Sequence, residues 1–288
     1  MKKIKYLFII LALFLCVNLT YGSEDKNEIH RYSTLEKNND QAARIINGEI
    51  NLLKYTIDYL SIAVLDKTSM RILRNCIFAR YGYKFKEGDL FQYFNKFDWY
   101  KPLYDNVDDR LTKIDKFNVK RILAFERIDK TQKKILNPID LVGVWQDTPI
   151  MPAGWSRRFI FYPDKKFRFI YSQMRELPEI LSLFGNYEIK GNCLEINITE
   201  KVIIEHSDKS VYSSMDGFQW TDQSYKKIVL KNSEKFNFPI TSVRKKVFTA
   251  KMLGGEKKLE REVINIGYEE YFRYYADPER GYEPGEIQ

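Results

Sequence analysis

"RRFIFYPDKKFRFIYS", residues 157–172, decides the architecture. Two runs of aromatic and aliphatic side chains flank Pro163-Asp164-Lys165-Lys166, the form of a hairpin with a polar turn. The same form returns at 185–198, where "GNYEIK" and "CLEINI" flank Gly191-Asn192. Further candidate strands lie at 202–205, 226–231, 242–248 and 259–266, separated by polar or glycine-bearing turns. Beyond Pro138 no helical period intervenes. Short strands at this spacing predict an antiparallel barrel or sandwich over 138–276. "YEEYFRYYADPERGY", 268–282, is the densest aromatic cluster. Its alternation of Tyr271, Arg273 and Tyr275 against Phe272 and Tyr274 predicts a strand closing the barrel, in preference to a sugar-stacking platform. A loose tail follows at 277–288.

Upstream the texture is helical. Residues 45–65 carry Ile46, Ile50, Leu53, Ile57, Leu60 and Val64 at helical spacing, one helix interrupted near Gly48. Ser69 is placed to cap a second helix with Ile72, Leu73, Cys76 and Ile77 inward, and Gly82 stands where a left-handed cap is needed. Asp89 is placed to cap a short helix presenting Leu90, Phe91, Phe94 and Phe97, which ends before Pro102. A last helix is predicted from about Asp109 to Lys130, with Leu111, Ile114, Ile122 and Phe125 inward. The fold class is therefore α+β in two domains, a small helical unit at 44–132 followed by the β domain.

Residues 1–22 read as a secretory signal. Lys2, Lys3 and Lys5 precede the apolar run "YLFIILALFLCV", and Thr20 and Gly22 predict cleavage before Ser23. As a helix that run spans about 18 Å, short of a bilayer core of roughly 30 Å. A lipoprotein reading through Cys16 is disfavoured, because Leu15 stands where a small residue is wanted. Residues 23–43 read as a flexible tether. The chain of 288 residues carries 47 Lys and Arg against 39 Asp and Glu. Losing three lysines with the leader lowers the net charge from +8 to +5. That mild excess excludes a nucleic-acid signature and allows at most peripheral contact with anionic lipid or wall polymer. Cys76 and Cys193 remain, read as two buried, unpaired thiols.

Residues about 55–127 resemble a YARHG domain, a presumed extracytoplasmic bacterial module. The name-giving run stands as Phe78-Ala79-Arg80-Tyr81-Gly82, with Phe78 for the first tyrosine and Tyr81 for the histidine. "LRN" at Leu73 to Asn75, "GYKF" at Gly82 to Phe85, "DLFQYF" at Asp89 to Phe94, and "WYKP" at Trp99 to Pro102 follow in order. A final helix bears Asn118 and Glu126. The loss of the histidine removes the one side chain titrating near neutrality. The resemblance implies an envelope or surface setting and nothing catalytic. Arg74 and Arg80 lie six apart on one helix, so they face differently, and one is expected to pair with Asp115 or Glu126. Phe78, Tyr81, Phe85, Trp99 and Tyr100 have the size to fill a small core. The β region resembles, on less sequence, a lipocalin-like small barrel through Gly143-Val144-Trp145, a motif whose tryptophan plugs one barrel end.

Chemistry is sparse. His30 and His206 are isolated, so no metal centre is expected. His206-Ser207-Asp208 are strand neighbours and point apart. "MLGGEKK", 252–258, lacks phosphate-loop spacing. Asp108-Asp109 and Glu269-Glu270 read as a helix cap and a turn. No cofactor is expected. The leading reading is a non-catalytic, secreted or periplasmic envelope protein that binds a glycan or protein through Arg80, Tyr81, Trp99 and Tyr100, which supply a charged donor and stacking faces. Its rival is a carrier of a small apolar ligand inside the β domain, unless Phe161, Phe169, Tyr187 and Ile196 fill the interior. A hydrolase is the third reading.

Overall fold

The computed structural model describes residues 41–150, 156–172, 180–206, 223–252 and 255–281. The leader, residues 23–40 of the tether and the tail beyond Gly281 lie outside them.

The predicted first helix is three pieces: α1 (Gln41–Ile46), a 3-10 helix (Ile50–Lys54) and α2 (Tyr59–Ala63). Gly48 makes the first break, with φ of 109° and Phe97 packed where a side chain would stand. Asp58 caps α2 by accepting from the Leu60 N–H. Helix α3 spans Lys67–Ala79 and is capped by Asp66, not Ser69; the Ser69 N–H is the donor, at 2.7 Å. Its buried stripe is Met70, Leu73, Cys76 and Ile77. Helix α4 (Asp89–Phe94) begins at Asp89, with Gly88 at the cap. Helix α5 (Lys113–Glu126) starts later than predicted, because Thr112 and Asp115 form a reciprocal capping box there. Asp108–Arg110 is a separate 3-10 helix, and α6 (Pro138–Leu141) leads into the sheet.

Nine antiparallel strands form one sheet: β1 (Gly143–Gln146), β2 (Arg158–Phe161), β3 (Lys166–Ile170), β4 (Ile180–Lys190), β5 (Cys193–His206), β6 (Gln223–Pro239), β7 (Arg244–Met252), β8 (Gly255–Ile266) and β9 (Glu269–Tyr275). The order is β6-β5-β4-β3-β2-β1-β9-β8-β7. Both quoted hairpins are present, β2–β3 turning through Lys165 at φ 65° and β4–β5 through Gly191 at φ 58°. The last strand pairs with β1 and β8.

The barrel does not close. β6 and β7 are the two sheet edges, and across the opening the described residues show a lone bridge, Ile240 to Ile266. The Gly267 N–H donates to the Pro239 carbonyl at 3.0 Å beside it. Two features keep the edges apart. The β5–β6 register shifts between Ile198 and Glu200, and such an irregularity bends a strand away from its neighbour's line. In addition, α2 and α5 pack on β6, so helices cover the face a barrel would enclose.

That face is aromatic. Phe161, Phe169, Tyr187 and Ile196 are all buried there, with Phe159 stacked on Phe161 at 5.5 Å and Tyr187 edge-on to Phe161 at 4.9 Å. Two separate cores were expected, one per half. A single apolar cluster instead runs from Ala42 to Tyr271. Its seam is Phe238, 5.8 Å from the Tyr59 ring and 6.3 Å from Phe125. Trp145 is fully buried, its indole N–H donating to the Leu141 carbonyl at 2.7 Å. The Arg273 guanidinium lies over its ring at 4.5 Å. Val144, Ile160 and Ile170 make a second, smaller cluster on the opposite face.

Candidate functional site

Helix α3 ends at Arg80, and α5 begins beside it, so the two termini share one polar knot. Asp115 is fully buried and accepts from four donors: the Arg80 guanidinium, the Tyr81 hydroxyl at 2.9 Å, and the Thr112 N–H and hydroxyl at 2.9 and 2.7 Å. A buried carboxylate is tolerable only when its lone pairs are met this way. Arg80 also lies over the Tyr81 ring at 4.8 Å. Burial, and the hydrogen bond to Asp115, raise the Tyr81 pKa, so the phenol stays a donor at neutral pH. One arginine was expected to pair and both do: Arg74 meets Glu126 at 3.0 Å.

Trp99 and Tyr100 belong to a different neighbourhood. Tyr100 is buried and donates to the Tyr83 carbonyl at 2.8 Å. Trp99 is half-buried, stacked on Phe97 at 5.2 Å and edge-on to Phe94 at 6.1 Å. The four sequence-selected residues thus divide into a charged knot and an aromatic seam, and the side chains of Arg80, Tyr81 and Tyr100 point their polar atoms at partners inside the chain.

An outward-facing surface lies between the two motif blocks. The Leu103 and Tyr104 N–H groups both donate to the Gly82 carbonyl, at 2.8 and 2.9 Å, and the Lys84 N–H donates to Tyr104. Gly82 has φ of 80°, and a β-carbon there would meet the Lys101 carbonyl at 2.7 Å. Glycine therefore permits this close crossing. The pinned segment leaves Leu103 61% exposed, with Lys101 exposed beside it. Arg110 stacks over the half-buried Tyr104 ring at 3.7 Å, and Lys84 sits 3.8 Å from Asp105. This ridge was missed in the sequence; the signal was there, since "GYKF" supplies one side of the crossing and "WYKP" leads directly into the other.

A second polar network joins helices to sheet. Arg121, buried, donates to the Ile57 carbonyl and pairs with Glu269. Burial lowers its pKa to about 10 despite Asp58 nearby. Asp58 pairs with Arg157 at 3.0 Å; burial works to raise its pKa, but the Arg157 charge and the Leu60 N–H outweigh burial and leave it lowered. The Tyr59 and Tyr271 hydroxyls lie 2.7 Å apart. Of the paired carboxylates, Glu269 and Glu270 are thus both ion-paired, the latter with Arg244 and Lys246.

Cys76 and Cys193 are buried and unbridged. Burial pushes their pKa values to about 12 and about 11, so neither is a thiolate at neutral pH. His30, Ser207, Asp208 and the Leu253-Gly254 turn lie outside the described residues. Among the described residues no group of three metal-ligating side chains converges, and no helix is long and apolar enough to cross a membrane.

Residues 44–127 match the YARHG domain. The match runs from within α1 to the end of α5 and includes the Asp115 knot and the Leu103 ridge. Arg80 and Gly82 keep the name-giving pattern, while Phe78 and Tyr81 depart from it; Tyr81 takes up a hydrogen bond to Asp115. No curated protein and no solved structure matches the chain. YARHG domains are commonly extracellular or periplasmic.

Proposed function

We propose that the protein works outside the cytoplasm, after removal of the leader, as a non-catalytic envelope protein whose YARHG unit contacts a cell-surface glycan or protein partner. The carrying observation is the ridge. A rigid backbone crossing presents Leu103, Lys101 and the Arg110–Tyr104 stack to solvent, an apolar tip with cationic and aromatic flanks. Such anchors dominate recognition surfaces. The Tyr81 hydroxyl and one terminal nitrogen of Arg80 already have partners within the chain, which favours a structural part for both residues. Of the original set Tyr100 is buried, while Arg80, Tyr81 and Trp99 each keep part of their surface for contact.

Purified cell wall and envelope fractions test the proposal. Tagged protein is retained, and Leu103→Asp or Arg110→Glu weakens retention without changing the unfolding transition. Retention no greater than a tagged control, or retention indifferent to both substitutions, refutes it. The carrier reading has no specific support, since rings in mutual contact occupy the inner sheet face.

A further inference from the structure

We propose that the free edge of β7 is a docking edge for an extended, acidic segment of a partner protein, which adds to the sheet as a further strand. This deepens the envelope-binding reading and rests on it only for the compartment.

Among the described residues β8 is the one strand paired with β7, through nine consecutive residue pairs without a register shift. The pairing runs from Arg244↔Val263 to Met252↔Gly255. An edge this long and regular offers a row of backbone donors and acceptors, and natural sheets usually shorten, bulge or cover such edges. The edge is also strongly one-signed. Arg244, Lys245, Lys246 and Lys251 lie on it, with no acid between 244 and 252. Lys245, Val247 and Thr249 share the more exposed face, Val247 at 59% and the Lys245 side chain at 73%.

Lysines on an edge deter a second copy. Antiparallel self-pairing centred on Phe248 would set Lys245 opposite Lys251, and like charges directly opposite one another destabilise a ladder. The same charges favour a strand carrying glutamate or aspartate at alternate positions. Arg244 and Lys246 are held by Glu270 at 2.8 and 2.7 Å, so of these three cations Lys245 is the most open to an incoming acid. It meets Glu260 at 2.9 Å with 73% and 52% of the two side chains exposed, and exposed pairs contribute little. Val247 between the cations supplies an apolar contact. An acidic segment with intervening aliphatic residues therefore fits in backbone, charge and apolar register.

The probe is a synthetic peptide of alternating glutamate and valine, titrated against the full chain. A copy with alternate backbone nitrogens methylated keeps the charge and loses the donors. The acidic peptide is expected to bind, with affinity falling as salt rises, and to slow amide exchange along 244–252. The methylated copy is expected to fail, and Lys245→Glu to weaken binding by about tenfold through charge reversal at a contact edge. Equal binding by the methylated copy overturns the proposal in favour of a merely charged surface. Equal binding by a lysine–valine peptide, or no binding at low salt, also overturns it. So does sedimentation as a dimer that Lys245→Glu alters, which would give the edge to a second copy. Leu103→Asp should leave peptide binding unchanged, and Lys245→Glu should leave ridge-mediated wall retention unchanged, so failure of one site is distinguishable from failure of the other.

Discussion

Phe238→Ala tests whether helices and sheet share one core. The ring is 1% exposed and sits among Tyr59, Phe125, Phe159 and Phe236, at centroid distances of 5.8, 6.3, 6.3 and 6.2 Å. Truncating a fully buried phenylalanine costs about 3–5 kcal/mol, the lost transfer free energy plus the cavity. Two of its four neighbours are helical, so the site cannot collapse from one side alone. Hydrogen exchange followed on peptides from α3 and from β3 is the assay. Among the described residues, the rings paired with Phe238 come from neither segment. With a shared core both lose protection together, by roughly two to three and a half orders of magnitude, as that free energy requires. A protein of this size should also lose about 6–20 °C in Tm. If β3 loosens while α3 keeps its protection, the halves fold as separate bodies and the reasoning fails.

Other outcomes follow from the same geometry. Asp115→Ala leaves the Arg80 guanidinium without its carboxylate, and breaking a buried pair costs about 3–5 kcal/mol; Arg80→Met with Asp115→Leu should recover much of it, measured by urea unfolding. Gly82→Ala meets both a positive φ and the Lys101 carbonyl, so it should destabilise by more than about 1 kcal/mol and weaken any retention through the Leu103 ridge. Cys76 and Cys193 should resist thiol reagents at pH 8 in the folded chain and react once urea unfolds it, because burial holds both protonated. Glu195 is lowered from 4.5 to about 2: burial opposes its charge, but Lys130 and Lys190 outweigh burial. A depressed folded pKa gives stability that is present above pH 4.5 and lost as pH falls toward 2. Glu195→Gln should flatten the acid limb of the stability curve in that window.

Alternation at 157–172 and 185–198 was enough to place both hairpins, because a period of two is legible whenever one face is apolar. Gly82 was legible too, since backbone geometry is local, and helical spacing showed that Arg74 and Arg80 face differently, although not which carboxylate each would meet. Helix starts were less so: Ser69 and Asp66 are both capping types, and three residues separate them. What escaped was the covering of faces. Periodicity shows that Phe161 and Tyr187 turn the same way as their neighbours, but not that α2 and α5 pack against the sheet at β6. The open gap between β6 and β7 depends on the register shift near Ile198 and on those helices, neither of which is written in the strands. Arg80 and Tyr81 looked available for a ligand because Asp115, 35 residues after Arg80, gives no local sign of being buried.

The placing of β9 between β1 and β8 has a bearing on the order in which the sheet can assemble. Tyr59 meets Tyr271 across 212 residues, and β1 gains its second neighbour from the final strand of the sheet. A chain lacking its last segment can pair β1 through β6, but it has nothing to join β1 to β8 and no Tyr271 for Tyr59 to meet. Loop closure over such separations is slow. The sheet is thus completed only when nearly the whole described length of the chain is available.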